Sequence, residues 1–522
     1  MLILLGALCL PALFFAVRGV PAAIPAGTYY VDAAMGKDEN NGTSPDKAWK
    51  SLSGINARTF RAGDAILLKA GSVWEGQFWP KGSGVEGRPI RVGKYGEGAK
   101  PAIAGKGLAE DAVLLKNQEY WEIEDLDVSN TGPANGVRRG VHVALDNFGE
   151  AHHIVLRRMT VHDVNGMDSL KANGGIIYTS VGNKKPSRFV DLQIEDNEIF
   201  HADRNGIAGW SDRWERSKWY PSLGVIVRGN HLRDIGGDGI LVVATDGALI
   251  EKNVVGQANQ RSAGYNVAIW SWSADNTVVQ YNEAWGTKGE RDGEGFDSDW
   301  NSRNTLIQYN YSHENDGGFL LICNEGSHSA SESIGNLGTI VRYNISQNDR
   351  NRGITLSGPV KNTLLYNNTI FAGDGAPVDV VLFTDWYGWP EKTQLVNNIF
   401  YAAGEARIAH AVSRSKENGH HTSAVGLGKS EETRFEANVY SGRVEKAEDP
   451  QALTVNPEFV RAGRGRSGRE TLDGYALMSA SAARGSGMPV AENGGKDFFG
   501  ASLAGCGKPD RGAVQSSKCD GR

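Results

Sequence analysis

The sequence predicts an all-β chain wound as one single-stranded, right-handed parallel β-helix. Three observations carry this. A β-branched run ending in asparagine recurs eight times between Ile194 and Asn398. A second column, a small or polar pair followed by an aliphatic or aromatic residue, keeps the same pitch. The 67 glycines are spread along the chain as turn residues, without the low complexity of a disordered segment.

The asparagine column ends the runs at Asn197, Asn230, Asn253, Asn282, Asn310, Asn344, Asn368 and Asn398, with steps of 23 to 34 residues. Steps of that size mark one superhelical coil each, with loops of varying length inserted. Asparagine tolerates a left-handed corner and can hydrogen-bond up and down a stack. Coils stacked at about 4.8 Å leave no free edge in the middle.

The chain divides into four parts: a signal at 1–23, an N-terminal cap with the first strands at 24–109, the β-helix at 110–440 and a closing tail at 441–522. Leu2–Val17 is apolar and Val20-Pro-Ala-Ala23 suits cleavage, so a secreted or periplasmic protein is expected, clear of the membrane once the signal is removed. The n-region lacks a positive charge and Arg18 lies on the far side, which keeps a membrane anchor as the alternative. Next come a strand at Thr28–Asp32, a polar loop, a helix over Trp49–Arg58, and strands at Gly63–Lys69 and Pro89–Val92.

The net charge of −6 speaks against nucleic acid and anionic membranes as partners. Cys9 leaves with the signal. In an oxidising compartment Cys506 and Cys519 are expected to pair. Cys323 ends the apolar run Phe319–Cys323 and reads as a buried free thiol. No Cys/His spacing suggests zinc, and His420-His421 sit in a polar loop. A monomer is expected.

Aligning the second column sets which side chains face outward. The first outward column reads His142, Tyr178, Ala208, Leu241, Trp270, Asp297, Leu320, Thr355. The second reads Ala144, Ser180, Trp210, Val243, Trp272, Asp299, Ile322, Ser357. A slip of one residue would bury both aspartates, which is prohibitive for unpaired carboxylates.

Asp292-Gly-Glu-Gly-Phe-Asp-Ser-Asp-Trp300 therefore organises the function. It carries Asp292, Glu294, Asp297 and Asp299. Asp297 and Asp299 should project side by side, their Cβ atoms roughly 6.5–7 Å apart. That suits inverting glycosidases, whose carboxyl groups stand about 6.5–9.5 Å apart. Crowded carboxylates split their pKa values, leaving one as acid and one as base. The expected catalytic set is Asp297, Asp299 and Glu294. Trp210, Trp270, Trp272 and Trp300 offer stacking surface for sugar rings, with Asp316, Glu325 and Arg352 as nearby polar contacts. Replacing Trp270 or Trp272 by alanine should weaken binding and spare the fold.

The order strand, Asn-Gly loop, helix and Gly63-Asp-Ala-Ile-Leu-Leu-Lys69 resembles the opening of the pectin-lyase-like β-helix proteins. Asp497-Phe-Phe-Gly500 and Pro509–Ala513 resemble their C-terminal closure. The resemblance implies a helical N-terminal cap, a loop-rich cap over the last coil and action on carbohydrate. The group holds both hydrolases and lyases. Neither the Asp-Asp and Gly-His-Gly of polygalacturonases nor the Asp-Pro-His-Asp of mannuronate epimerases is evident.

Three readings stay open. The first is an exported glycoside hydrolase acting on a polysaccharide or oligosaccharide without a required cofactor. The second is a lyase using calcium and a base such as Arg352 or Lys361 on a uronate. The third is a non-catalytic glycan-binding protein.

Overall fold

The computed structural model describes residues 26–289, 291–412, 424–504 and 507–516. The signal, Cys9, His420-His421 and the Cys506–Cys519 pair lie outside the described residues. Among those described, no helix is long and apolar enough to cross a membrane.

The fold is a right-handed parallel β-helix, with forty-one strands of the described residues in one hydrogen-bonded system. A typical coil contributes Val278–Gln280, Glu283–Trp285 and Glu294–Ser298, and the next contributes Leu306–Gln308, Tyr311–His313 and Gly318–Cys323. Successive coils pair in parallel. Alternation along each strand sends one side chain inward. Ile250, Val279, Ile307, Val341 and Leu365 stack inside one sheet, and Ile269, Phe296, Leu320 and Ile354 inside another.

The asparagines stack as expected. Each Oδ1 accepts both the backbone N–H and the Nδ2–H of the asparagine one coil earlier, from Asn197 to Asn438, with side-chain bonds of 2.8–3.0 Å. Each Nδ2 also donates to a backbone carbonyl, as Asn310 does to Val279. The left-handed corner falls one residue earlier than expected, on Asp196, Lys252, Tyr281, Tyr309, Tyr343, Asn367, Asn397 and Ala437. The column is asparagine because a buried amide can accept and donate twice, and the turn itself tolerates other residues.

At the N-terminal end the helix is shorter than expected, Ser53–Asn56. Trp49 is still extended and bridges to Val31. Its ring stacks on Tyr29 at 5.7 Å, and Leu52, Ile55 and Phe60 complete the cap.

The tail does more than cover the last coil. Asp449 closes the asparagine column by accepting from the Asn438 N–H and Nδ2. The chain then runs back along one flank. Gly468 N–H donates to Glu283, Gly465 N–H to Gln347, and Asn397 Nδ2 to the Met488 carbonyl. Leu503 packs on the tyrosine row Tyr309, Tyr343 and Tyr366, and the Arg469 guanidinium lies 4.9 Å from the Tyr281 ring centre. The tyrosines that take the left-handed corners thus supply the surface that the tail covers.

Candidate active site

The site lies on the outer face of the sheet that includes Asn205–Ser211, Ile240–Asp246, Ile269–Asp275, Glu294–Ser298 and Gly318–Cys323. Trp270 pairs with Asp297 and Ile269 with Phe296, so Asp297 faces outward as expected. Two coils slip by one against the expected columns. Phe296 pairs with Leu320 and Asp297 with Leu321, which puts Leu321 and Cys323 outward and Leu320 and Ile322 in the core. Ile176 pairs with Ile207, so Ile177 and Thr179 face outward, while Tyr178 points inward over Gly209. Both slips occur at glycine pairs, Gly174-Gly175 and Gly317-Gly318, where Gly174 and Gly318 have positive φ. A glycine pair fits either alignment.

Cys323 is therefore a buried free thiol, but it lies against the acids. Its Sγ donates to Asp299 Oδ1 at 2.8 Å. One oxygen each of Asp297 and Asp299 and the Cys323 Sγ lie within 4.8 Å of one another. The two aspartates turn toward each other, so the expected 6.5–7 Å of the Cβ atoms is not the spacing of their carboxylates.

Burial raises all four acids. The Asp297 carboxyl is 3% exposed, its Oδ1 has no hydrogen-bond partner, and burial followed by the charges of Asp299, Asp292 and Glu294 pushes it well above the usual range. Asp299 is pushed up to about 6 by burial, against the pull of the Cys323 thiol, the Trp300 N–H and the Lys171 charge. Asp292 is half-buried and raised by burial and by Glu294. Glu294 is fully buried and raised by burial, opposed by Arg352, whose Nη2 lies 3.2 Å from Oε1. Glu294 and Arg352, both expected at the site, thus form a pair beneath it. Arg352 is anchored further on the carbonyls of Gly317 and Asp292. Asp292, seven residues before Asp299 in the same acidic run, joins this cluster.

The tryptophans divide. Trp272 meets Trp210 at 5.8 Å, Trp214 at 5.4 Å and Trp300 at 5.2 Å. Trp210 is 37% exposed and offers open ring surface. Trp270 is buried: its Nε1 donates to Asp238 at 3.0 Å and the Lys171 ammonium lies 4.5 Å from its ring centre. Trp270 is thus part of a packed polar cluster, which overturns the expectation that its loss spares the fold. Trp270→Ala should cost about 3–5 kcal/mol, the usual scale for losing a buried large aromatic, and Trp210→Ala should leave the melting temperature unchanged while raising KM several-fold. Thermal melts beside sugar-binding titrations check both.

Two inserted loops wall the site. Arg216 and Ser217 donate to the carbonyls of Glu332 and Ser331, so the 211–223 and 323–337 inserts meet. Arg216 also grips Asp275 through two hydrogen bonds of 2.7 and 3.0 Å. His328 stacks on Trp300 at 4.3 Å, and Glu325 reaches His328 at 3.3 Å, so Glu325 supports the wall. Asp316 sits at the turn before Gly318 and is half-buried, its carbonyl accepting from Asn351.

Asp297, Asp299 and Cys323 do not suit calcium. That ion takes six to eight oxygen ligands, and here one of the three donors is a thiol. Lys361 pairs with Glu391 at 3.1 Å on another corner.

The fold and the site together define the class: a right-handed parallel β-helix with a buried carboxylate cluster on one outer sheet. No family model matches the chain. It is similar to a lacto-N-biosidase of Bifidobacterium longum subsp. longum, 28% identical over 602 aligned positions, which cover 94% of this chain and 36% of that protein. The chain spans about a third of that relative's length. Among solved structures it resembles the native GH136 lacto-N-biosidase from Eubacterium ramulus, with a TM-score of 0.55 and 24% identity over 78% of this chain and 68% of that one. It also resembles XylC in complex with xylose, with a TM-score of 0.52 and 12% identity over 94% and 98% of the two chains. These structural likenesses show the fold.

Proposed function

We propose that this protein is an exported glycoside hydrolase acting on an oligosaccharide or polysaccharide, with its chemistry at Asp299 and Asp297. The observation that carries the reading is the pairing of two unlike carboxyls on a sheet whose tryptophan cluster ends in the open Trp210. Asp299 Oδ1 takes two donors, from Cys323 and the Trp300 N–H, which stabilise its ionised form. Asp297 has an unpartnered buried oxygen and three acids around it, which favour its protonated form. A carboxyl held neutral near pH 7 can donate to a leaving sugar oxygen while its ionised neighbour attacks or activates water.

Asp292 shares the proton-holding surroundings and reaches the surface, which makes it the second acid to test. Glu294 acts beneath them, paired with Arg352. One oxygen each of Asp297 and Asp299 lie within 4.8 Å of one another, and the anomeric configuration of the first product separates inversion, with carboxyl groups about 6.5–9.5 Å apart, from retention, with about 5–5.5 Å.

The 28% relative is a lacto-N-biosidase, so a chromogenic lacto-N-bioside is the first substrate to try. Release of reducing sugar without an ultraviolet-absorbing unsaturated uronate, and with activity that survives chelator, is the expected result. A chelator-sensitive unsaturated product would instead establish a lyase. That alternative is disfavoured because its base candidates Arg352 and Lys361 are engaged with Glu294 and Glu391. Tight sugar binding with no cleavage across a broad glycan panel would leave the binding-protein reading.

A further inference from the structure

We propose that Cys323 is a positioning residue for Asp299: its thiol pins Oδ1 and leaves Oδ2 as the oxygen presented to substrate. The inference rests on the glycosidase reading and takes it to a residue outside the carboxylates. The Cys323 Sγ and the Trp300 N–H donate to the same oxygen, at 2.8 and 2.7 Å. One donor comes from the neighbouring coil and one from the chain just past Asp299, so the carboxylate cannot turn without breaking one of them. Among the described residues no donor reaches Oδ2.

The frame around this contact is rigid. Asn336 Nδ2 donates to the carbonyls of Ser298, Asp299 and Cys323 at 2.6, 3.2 and 3.3 Å. One buried amide therefore ties the backbone of the acid to the backbone of the thiol. Asp297 supplies an independent observation. Its Oδ1 is buried and unpartnered, and one of its carboxylate oxygens lies within 4.8 Å of Cys323 Sγ and of an Asp299 oxygen, so the acid beside this contact has an oxygen still waiting for a partner. A sugar hydroxyl has the chemistry to fill it.

The charged groups that act on Asp299 are Asp292 and Asp297 on its own coil and Asp238 and Lys171 from upstream coils. Lys171 donates to Asp238, and among the described residues the Cys323 thiol is the side chain that donates to Asp299. Removing a donor to the charged form raises the pKa. The acid limb of the pH–rate profile should therefore move upward in Cys323→Ala.

The test uses the full chain with Cys323→Ala and Cys323→Ser. Three readouts apply: the pH profile of kcat/KM, a titration of the aspartate carboxyls by 13C NMR, and the S–H Raman stretch of wild type taken as a difference against Cys323→Ser. In Cys323→Ala, Asp299 is expected to titrate about one unit higher, with turnover roughly tenfold lower below pH 5.5, recovery by pH 8 and little change in KM. Cys323→Ser, which keeps a donor, should fall between the two. The wild-type S–H stretch should be lowered by a strong hydrogen bond, and more so once Asp299 ionises. An unbonded S–H frequency in wild type overturns the proposal even where the alanine variant fails to fold. So does an Asp299 titration unchanged in a folded Cys323→Ala. If no glycoside is cleaved by wild type, the NMR and Raman arms still read the thiol–carboxylate bond, so failure of the glycosidase reading and failure of this one are separate results.

Discussion

Asp299→Asn should lower turnover by on the order of a hundredfold or more, the scale lost with a general acid or base. The amide keeps the shape and can still accept from Cys323 and Trp300, so the loss reads the missing charge. Asp297→Asn should be comparably slow, but for a different reason: it removes the proton reserved for the leaving group. The pH dependence separates the two roles. The limb governed by Asp299 should lie near pH 6 in wild type and vanish in Asp299→Asn.

Stability should move the other way. A carboxyl raised in the fold binds its proton more tightly there than in the unfolded chain. Its cost is absent below the unfolded pKa of about 3.9 and grows as pH rises through the folded value near 6. Asp299→Asn should therefore melt higher than wild type at pH 7.5 and equal to it at pH 4. Wild-type turnover in both asparagine variants would end the hydrolase assignment.

Asn310→Ala should be the most damaging substitution far from the site. Asn310 Oδ1 accepts from the Asn282 N–H and Nδ2, and its Nδ2 donates to Val279 O and Asn344 Oδ1. Alanine strands two buried donors and thins the support of two acceptors. At about 1–3 kcal/mol for each stranded group, a loss of about 3–5 kcal/mol is expected. A shift in the urea midpoint of that size, with an unchanged slope, is the measurement. A loss below about 1 kcal/mol would mean that the column is ornament and the apolar stack alone holds the coils.

The asparagine column was legible because one residue type recurs with a pitch that only a coil explains. What the pattern hid was the division of labour at each corner. The left-handed turn falls on Lys252, Tyr281 or Ala437, residues with no turn signature, because the neighbouring ladder holds the corner in place. The acidic run announced the site, since four carboxylates around a core phenylalanine fit no ordinary strand.

Its surroundings were less legible. Gly317-Gly318 permits two registers, and the choice between them decides whether Cys323 belongs to the core or to Asp299. Trp270 carries the same outward signature as Trp272. Only Asp238 and Lys171, brought in from other coils, show that one ring is packed and the other lies in the cluster that reaches the open Trp210.

The returning tail alters how such a molecule can come apart. A stack of coils in which each touches only its neighbours behaves as a one-dimensional array that frays from its ends. Here bonds from Gly468 to Glu283, from Gly465 to Gln347 and from Met488 to Asn397 tie non-adjacent coils to one segment. The C-terminal coils cannot peel away singly, because each would first have to release a strand of chain that also holds the others. The zipper becomes a buckled belt, and hydrogen exchange should find the coils from Glu283 to Asn397 opening in one cooperative step with the tail.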